Sequence, residues 1–439
     1  MFRQRGESIH FLQKIFRERF ILRKLILIAR LFLFSLPFQA FAQPPQRLSI
    51  EEAIAIAVTA QPEVLAAQKE IEAAEGRTLQ AGRIANPEIS AVYNEMPTGL
   101  SFGEAGEQDI SLSQIIEFPG KRGARIEFAE HGKSIAELSL WRTRSLVTVK
   151  VKRTYYQALL AAEVVKNLDF TISLVSDFLK VVTDRYQAGS SSYIDLIRAK
   201  VELSRLRNEA IEARRDAVSR LSELNLLLGR SDETPIVLTD SLVSEPLGLS
   251  RDSALTYYVN ASSFLQIVQL DVRRSGSLLS VAQTNYLPDF GVSLSLQRRR
   301  GQLSPTGTDR YLGLALGVSV PLWFWQAPKG EVQEAEALLD IATIRVEAAR
   351  RLVLQKIRSS YGVASVAEQQ VKAFETSLIR DTEDELRSGI AAYQNNQIDA
   401  LNLFDIYRTY RATKIEYARA LYNYLAAKAE LEAAGEIPE

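Results

Sequence analysis

Apolar residues between Val151 and Tyr186 recur at alternating steps of three and four positions. In this series only Thr154 is polar; its members are Val151, Thr154, Ala158, Ala161, Val165, Leu168, Ile172, Val175, Leu179, Val182 and Tyr186. A 3.5-residue repeat predicts a helix that supercoils left-handedly against a partner. Because no proline interrupts residues 123–187, the predicted helix is about 98 Å long at 1.5 Å per residue.

A second series follows the same rule from Tyr193 to Leu228, with Arg220 as its exception. Its members are Leu196, Ala199, Leu203, Leu206, Ala210, Ala213, Ala217, Leu224 and Leu227. Between the two series, Gly189 and Ser190 form a short tip of the residue types that end one helix and begin the next. The pattern predicts a long antiparallel hairpin. A second hairpin is predicted from helices at 330–393 and 398–434, with Asn395 and Asn396 at its tip.

Four other segments alternate with a period of two, which predicts β-strands. They are 88–95, 108–118, 289–298 and 310–324, and the alternation is least clear in the first. Each is close to the 9–11 residues of a membrane-crossing strand. Lipid does not tolerate open sheet edges, and small barrels begin at about eight strands. We therefore expect three chains to share a twelve-stranded barrel that continues below as a helical tunnel.

Aromatic residues lie near the ends of these strands. They are Phe118, Tyr286, Tyr311, Trp323 and Trp325. Rings at strand ends are typical of the aromatic girdle at a membrane interface. The alternative for the two tryptophans is a buried core cluster.

The chain repeats itself at an offset of about 200 residues, too long for a solenoid. Leu48-Ser49 returns as Leu249-Ser250, Asn86-Pro87 as Leu287-Pro288, Phe118-Pro119 as Val320-Pro321, and Tyr186-Gln187 as Tyr393-Gln394. We predict an internal two-fold repeat. Its parts are a first unit at 43–229, a linker at 230–250, a second unit at 251–434 and a tail at 435–439.

The first 42 residues combine a basic start, an apolar run at 25–38 and a small-residue site at 40–42. This order predicts a secretory signal peptide, with a retained membrane anchor as the alternative. Without it the chain holds 45 basic and 51 acidic residues, a formal charge of −6, which argues against nucleic-acid binding. There is no cysteine, and His131 stands alone in its helix. We therefore expect no cofactor, metal site or catalytic site.

Several motifs make the chain resemble the TolC-type outer-membrane efflux protein family across residues 48–434. They are Asn86-Pro87, the run from Tyr186 to Gly189, Ile194-Asp195-Leu196, Leu228-Gly229, the run from Ile398 to Asn402 and the run from Ala418 to Leu425. The turn at 117–122, Glu-Phe-Pro-Gly-Lys-Arg, resembles the heavy-metal (Czc/Cus-like) branch that serves RND pumps. Its alternative is an ordinary basic turn before a helix.

The resemblance implies a passive homotrimeric duct in the outer membrane of a Gram-negative-type cell, with a large periplasmic extension. Its partners would be outer-membrane lipid, a periplasmic adaptor protein and an inner-membrane RND-type pump. Asp399 and Asp195 match acidic positions that ring the periplasmic aperture, whereas Asn402 departs from the double-Asp pattern. Both aspartates also suit helix N-termini, and the two roles are compatible.

The sequence thus predicts an efflux duct that is not an enzyme, with heavy-metal cations as its cargo. A multidrug or type I polypeptide export duct of the same fold is an alternative. From another class, the alternative is a soluble periplasmic coiled-coil adaptor or scaffold.

Overall fold

A computed structural model describes residues 46–436, except for 97, 99–101, 103–104, 301–306 and 324. The predicted signal peptide lies outside the described residues. The helices are α1 (Ile50–Ala60), α2 (Pro62–Ala81), α3 (Lys121–Gln187), α4 (Tyr193–Leu227), α5 (Arg251–Ala261), α6 (Ser263–Thr284), α7 (Ala327–Ala373), α8 (Ile379–Gln394) and α9 (Ala400–Glu432). The strands are β1 (Gln46–Leu48), β2 (Glu88–Asn94), β3 (Glu107–Ile116), β4 (Ile236–Leu238), β5 (Asp289–Arg300) and β6 (Thr308–Ser319).

Two long helical hairpins dominate the described part of the chain. In the first, α3 packs along α4. Six of the eleven predicted seam positions of α3 are buried. The buried members are Val151, Ala158, Ala161, Leu168, Val175 and Val182. The second hairpin consists of α7, a π-helical turn at Phe374–Leu378, α8 and α9. None of the helices in the described ranges is long and apolar enough to cross a membrane.

The four long strands that the structure describes form one antiparallel sheet in the order β2-β3-β5-β6. Residue pairs such as Leu112 with Leu294 and Leu294 with Leu314 fix its register. That register gathers the apolar positions of β3, β5 and β6 on one face. The register also settles the strand whose alternation was unclear, because Ile89 pairs with Leu112 and joins the apolar face.

Six strand ends differ from the predicted bounds. β2 ends one residue earlier, at Asn94, and β3 and β6 begin earlier, at Glu107 and Thr308. β3 ends at Ile116 and β6 ends at Ser319, before Phe118 and Phe324, which the pattern includes. A proline follows each end, Pro119 and Pro321, and proline has no N–H to continue a ladder. β5 instead continues to Arg300, since Arg299 and Arg300 still pair with Asp309 and Thr308.

A small two-stranded sheet, β1 with β4, lies beside the middle of α3. The hydroxyl of Tyr155 on α3 lies 2.8 Å from the carbonyl of Leu48 and 2.7 Å from the carboxylate of Asp240. Asp240 also accepts the N–H of Ile50 at 2.8 Å. These bonds anchor the linker of the chain to the first long helix, next to a core that α1, α3, α4 and α9 share.

Candidate functional site

The tip of the first hairpin is a Schellman turn. Gly189 has φ +75°. Its N–H donates to the carbonyl of Tyr186 at 3.0 Å, and the N–H of Ser190 donates to the carbonyl of Arg185 at 2.8 Å. Glycine occupies this left-handed position without the steric cost of a Cβ. Ser192 then caps α4 by accepting the N–H of Ile194.

The second tip repeats this geometry with asparagine in place of glycine. Asn396 has φ +60°. Its N–H donates to the carbonyl of Tyr393 at 3.1 Å, and the N–H of Gln397 donates to the carbonyl of Ala392 at 2.8 Å. Asparagine is the residue that most often replaces glycine at this position. The predicted tip residues Gly189, Ser190, Asn395 and Asn396 thus all lie at the turns of the hairpins.

The three residues predicted for the aperture lie in the first turns that follow these tips. Asp399 is exposed and is the N-cap of α9, and its Oδ1 accepts the backbone N–H of Asn402 at 2.8 Å. The side chain of Asn402 is exposed. Asp195 is half-buried in the first turn of α4. The helix-capping interpretation therefore holds for Asp399. The cap uses only Oδ1, so Oδ2 of the same carboxylate takes no part in it.

Arg185 joins the two tips, and sequence reasoning missed it. Its Nη1 donates to Oδ1 of Asn396 at 2.8 Å, and its Nη2 donates to the carbonyl of Gln394 at 2.9 Å. Its guanidinium also lies 4.8 Å from the centroid of the Tyr393 ring. A basic residue in the last turn of a helix is expected to bind carbonyls. The sequence could not show that these carbonyls belong to the other hairpin.

The buried ring of Phe178 is a second connection between the hairpins. It packs edge-on against Tyr393, Phe404 and Tyr407, at centroid distances of 4.8, 5.1 and 6.2 Å. Burial raises the pKa of Tyr393; Arg185 opposes this effect and Asp195 adds to it.

Two ion pairs extend this connection from α4 to α9. Arg408 contacts Glu202 at 3.2 Å, and Arg411 contacts Glu209 at 2.6 Å. The tips, the aromatic cluster and these pairs together hold one hairpin against the other within a single chain.

The strand-end aromatics lie at both ends of the sheet. Tyr286, Phe118, Trp323 and Trp325 lie where strands meet helices, whereas Tyr311 lies near the connecting loops. Trp323 and Trp325 are 63% and 53% exposed and meet edge-on at 5.4 Å. In this single chain they are not a buried core cluster. The sequence prediction did not include Tyr93 and Phe102, which form an edge-on pair at 5.3 Å beside the loops.

The Gly-Lys-Arg turn has a structural role at the junction of sheet and helices. Gly120 has φ +103°, a conformation that favours glycine. Nζ of the buried Lys121 lies 2.9 Å from Oδ1 of Asp289, which also accepts the N–H of Phe118 at 3.1 Å. The turn thus joins the end of β3 to the start of β5. Within the described residues, no group of three or more His, Asp or Glu side chains is arranged to hold a metal ion.

Comparison with known proteins identifies the class. A family model described as "Outer membrane efflux protein" matches residues 53–230 and 261–435. The chain belongs to this family, and the resemblance found in the sequence is confirmed. Its members are passive channels and not enzymes.

Individual relatives carry metal-resistance names. The chain is 23% identical over 377 residues to the cobalt-zinc-cadmium resistance protein CzcC of Cupriavidus metallidurans, covering 85% of this chain and 86% of that protein. It is 23% identical over 328 residues to the nickel-cobalt-cadmium resistance protein NccC of Alcaligenes xylosoxydans, covering 73% and 72%. Among crystal structures, CusC matches with a TM-score of 0.70 at 15% identity, over 92% of this chain and 95% of CusC. The fold is that of TolC-type outer-membrane channels.

Proposed function

We propose that this chain is the exit duct of a tripartite efflux system. Three copies close a twelve-stranded barrel in the outer membrane, and their hairpins form a tunnel through the periplasm to an adaptor and an RND-type pump. Substrate then diffuses through a water-filled bore, and the chain itself performs no chemistry.

The observation that carries this proposal is the two-faced sheet. One face is apolar and exposed, with Leu312, Leu314 and Leu316 at 76%, 69% and 77% exposure. The opposite face is polar and internally bonded: Ser90 bonds Ser111 at 2.7 Å, and Gln297 donates to Asp109 at 3.1 Å. An apolar outer face with a polar inner face is the pattern of a membrane barrel.

Both outer strands of this sheet are unpaired along one edge in the single chain. β2 and β6 end the strand order that the structure describes. Lipid does not tolerate such edges. Copies related by rotation would pair β6 of one chain with β2 of the next and so remove every edge.

The helices carry unpartnered apolar side chains that fit the same assembly. On the side of α4 away from its seam, these are Ile197, Val201, Ile211 and Val218, with 38–68% of each side chain exposed. They are separated by four, ten and seven residues, which are sums of the alternating three- and four-residue steps of a coiled-coil seam. A second copy of the chain, packed against this stripe, would bury it.

We infer that Asp399 and Asp195 narrow and charge the periplasmic mouth of this duct. Three copies of each carboxylate around one axis would focus a negative potential and favour cations. Opening then requires the second hairpin to move away from the first, which breaks the Arg185 bridge and the pairs of Arg408 and Arg411. Asn402 supplies no charge, so this mouth has fewer acidic positions than the double-Asp pattern.

Heavy-metal cations are the cargo we propose, supported by the resistance names of CzcC and NccC. Since the described residues hold no metal-binding cluster, selection of the metal falls to the pump. The chain would supply only a passage.

Reconstitution tests the duct and a resistance assay tests the cargo. Purified protein added to planar lipid bilayers should give discrete single-channel currents. Deleting the gene should lower resistance to cobalt, zinc, cadmium or nickel, and plasmid copies should restore it. Protein that fractionates as a soluble monomer and gives no current would favour the soluble scaffold. Unchanged metal resistance together with lost drug resistance or polypeptide secretion would favour the other export ducts.

A further inference from the structure

A cavity of about 580 Å³ lies where α2, α3 and α6 approach the sheet. Phe128, Leu278 and Val281 contribute apolar wall. Its charged lining consists of four arginines, Arg77, Arg83, Arg125 and Arg274, and one carboxylate, Glu117. The volume falls in the range of roughly 300–1,000 Å³ that holds small organic ligands. Apolar walls combined with several guanidinium groups match a ligand that is both apolar and anionic.

The four guanidinium groups are only partly neutralised. Arg125 contacts Glu117 at 2.9 Å, Arg77 pairs with Glu70, and Arg274 lies 3.8 Å from Asp271. Arg274 also covers the Phe128 ring, 4.9 Å from its centroid. The guanidinium of Arg83 bonds no other residue in the part of the chain that the structure describes. The cavity therefore keeps one positive charge beyond its neighbouring carboxylates, on an arginine that is free to bind an anion.

Gly132 adds to the space of this cavity. A glycine inside a helix costs about 1 kcal/mol relative to alanine, and no close packing compels it here. The nearest atom to an added Cβ, outside the glycine's own helix, would be Nε of Arg274 at 4.0 Å. A side chain at 132 would therefore fit, and its effect would be to fill the cavity beside Arg274.

The cavity lies at the end of the sheet where β3 leads into α3, since Glu117 and Arg125 both line it. Glu117 lies one residue beyond the end of β3 and falls at the same odd positions as Asp109, Ser111 and Ser113, with the apolar Ile115 between them. Those three residues lie on the polar face, which bonds Asp109 to Gln297 and Ser111 to Ser90. If that face lines the bore, so does the cavity.

We propose that this cavity is a binding site for amphipathic organic anions, such as aromatic carboxylates and sulfonates of drug size. It lies on the wall of the duct where the helical tunnel meets the barrel. Its position in the bore rests on the proposed function. The anion would bond Arg83 and Arg274 with its charged group and place its apolar body against Phe128 and Leu278.

Calorimetric titration of the protein in lipid nanodiscs with naphthalene-2-sulfonate tests the site. Arg83→Gln should weaken binding about tenfold, the loss expected for one charge-assisted hydrogen bond. Gly132→Leu should weaken it at least as much by filling the space. Arg122→Gln is the matched control, because Arg122 is exposed nearby but does not line the cavity. Neutral naphthalene-2-sulfonamide should bind about tenfold more weakly than the sulfonate. Equal affinity for both probes, or equal losses in Arg83→Gln and Arg122→Gln, would overturn the proposal.

Single-channel recording separates this inference from the proposed duct. A protein that conducts but does not bind the sulfonate would refute the site and leave the duct intact. A protein that binds the sulfonate but does not conduct would refute the duct and leave the site intact. In a potassium chloride gradient, Arg83→Gln should shift the reversal potential towards cation selectivity. An unshifted potential would place the cavity outside the conduction path and refute its luminal position.

Discussion

Asp399 shows how one side chain can serve the fold and the proposed aperture at once. Its Oδ1 accepts the N–H of Asn402 and so begins α9, and the same exposed carboxylate lies near the tip of the second hairpin. Substitution by alanine would remove both the cap and the charge. Substitution by asparagine separates them, because asparagine caps helices about as well as aspartate.

We predict that Asp399→Asn leaves stability almost unchanged and lowers the preference of the channel for cations. Asp399→Ala should show the same loss of preference and cost about 1 kcal/mol of stability as well. Reversal potentials in a salt gradient and thermal unfolding followed by circular dichroism measure the two effects. Asp384→Asn, a change at an exposed carboxylate on the preceding helix α8, is the control. If Asp399→Asn and this control have the same ion preference, the aspartate only caps its helix.

Tyr407 predicts how stability depends on alkaline pH. Burial, with Asp177 and Tyr393 acting in the same direction, raises the pKa of Tyr407 from 10.0 to about 12. Between these values the folded chain holds this proton more tightly than the unfolded chain, so stability falls as pH rises through the window. The loss is at most about 3 kcal/mol for two pKa units. Below pH 10 this group adds no pH dependence.

We expect the unfolding temperature of Tyr407→Phe to fall less between pH 9 and pH 11.5 than that of wild type. Other buried tyrosines titrate in both proteins and cancel in the comparison. Tyr257→Phe, at a tyrosine that is 62% exposed, should behave like wild type. Identical losses in all three proteins would mean that ionisation of Tyr407 is not resisted by the fold.

At the scale of elements, the spacing of apolar residues located the long helices and the strands. A helix buried along one stripe shows a 3.5-residue repeat, and a strand buried on one face alternates with a period of two. Contacts between distant elements leave no such trace. The pairing of Ile89 with Leu112, which assigns β2 to the apolar face, depends on register. The contacts of Arg185 likewise depend on where the second tip lies in space. The predicted signal peptide, the repeat, the domain boundaries and the site roles stay predictions.

The Arg185 bridge predicts an opening phenotype. Its bonds to Asn396 and Gln394 are charge-assisted but half exposed, so we expect Arg185→Gln to remove about 1.4 kcal/mol of tip contact. In the proposed trimer each copy loses one bridge, so the open fraction of each tip rises about tenfold. Single-channel recording would detect the resulting larger open fraction of the resting channel. Lys180→Gln is the control, since Lys180 is exposed and, among the described residues, pairs only with Asp177 on its own helix. Equal open fractions in these two variants would show that the bridge does not hold the tips.

For the whole molecule, the absence of cysteine from the sequence makes the shared barrel directly testable. If β2 of one copy pairs with β6 of the next, a cysteine at Ser90 can meet one on the polar face of β6. Because the register between copies fixes which position is opposite, Ala315, Gly317 and Ser319 are each paired with Ser90 in turn. Disulfides require Cα atoms within about 7 Å, so one pairing should react far better than the others.

Oxidation of that double-cysteine variant in membranes should give a covalent trimer on denaturing gels. The Ser90→Cys, Ser111→Cys variant is the matched control, because those two hydroxyls already lie 2.7 Å apart within one chain, and its disulfide should leave a monomer. Trimer that survives dilution before oxidation would show that the copies are assembled beforehand. Only monomeric bands from every β2–β6 pairing, with the control fully oxidised, would refute a barrel that the copies share.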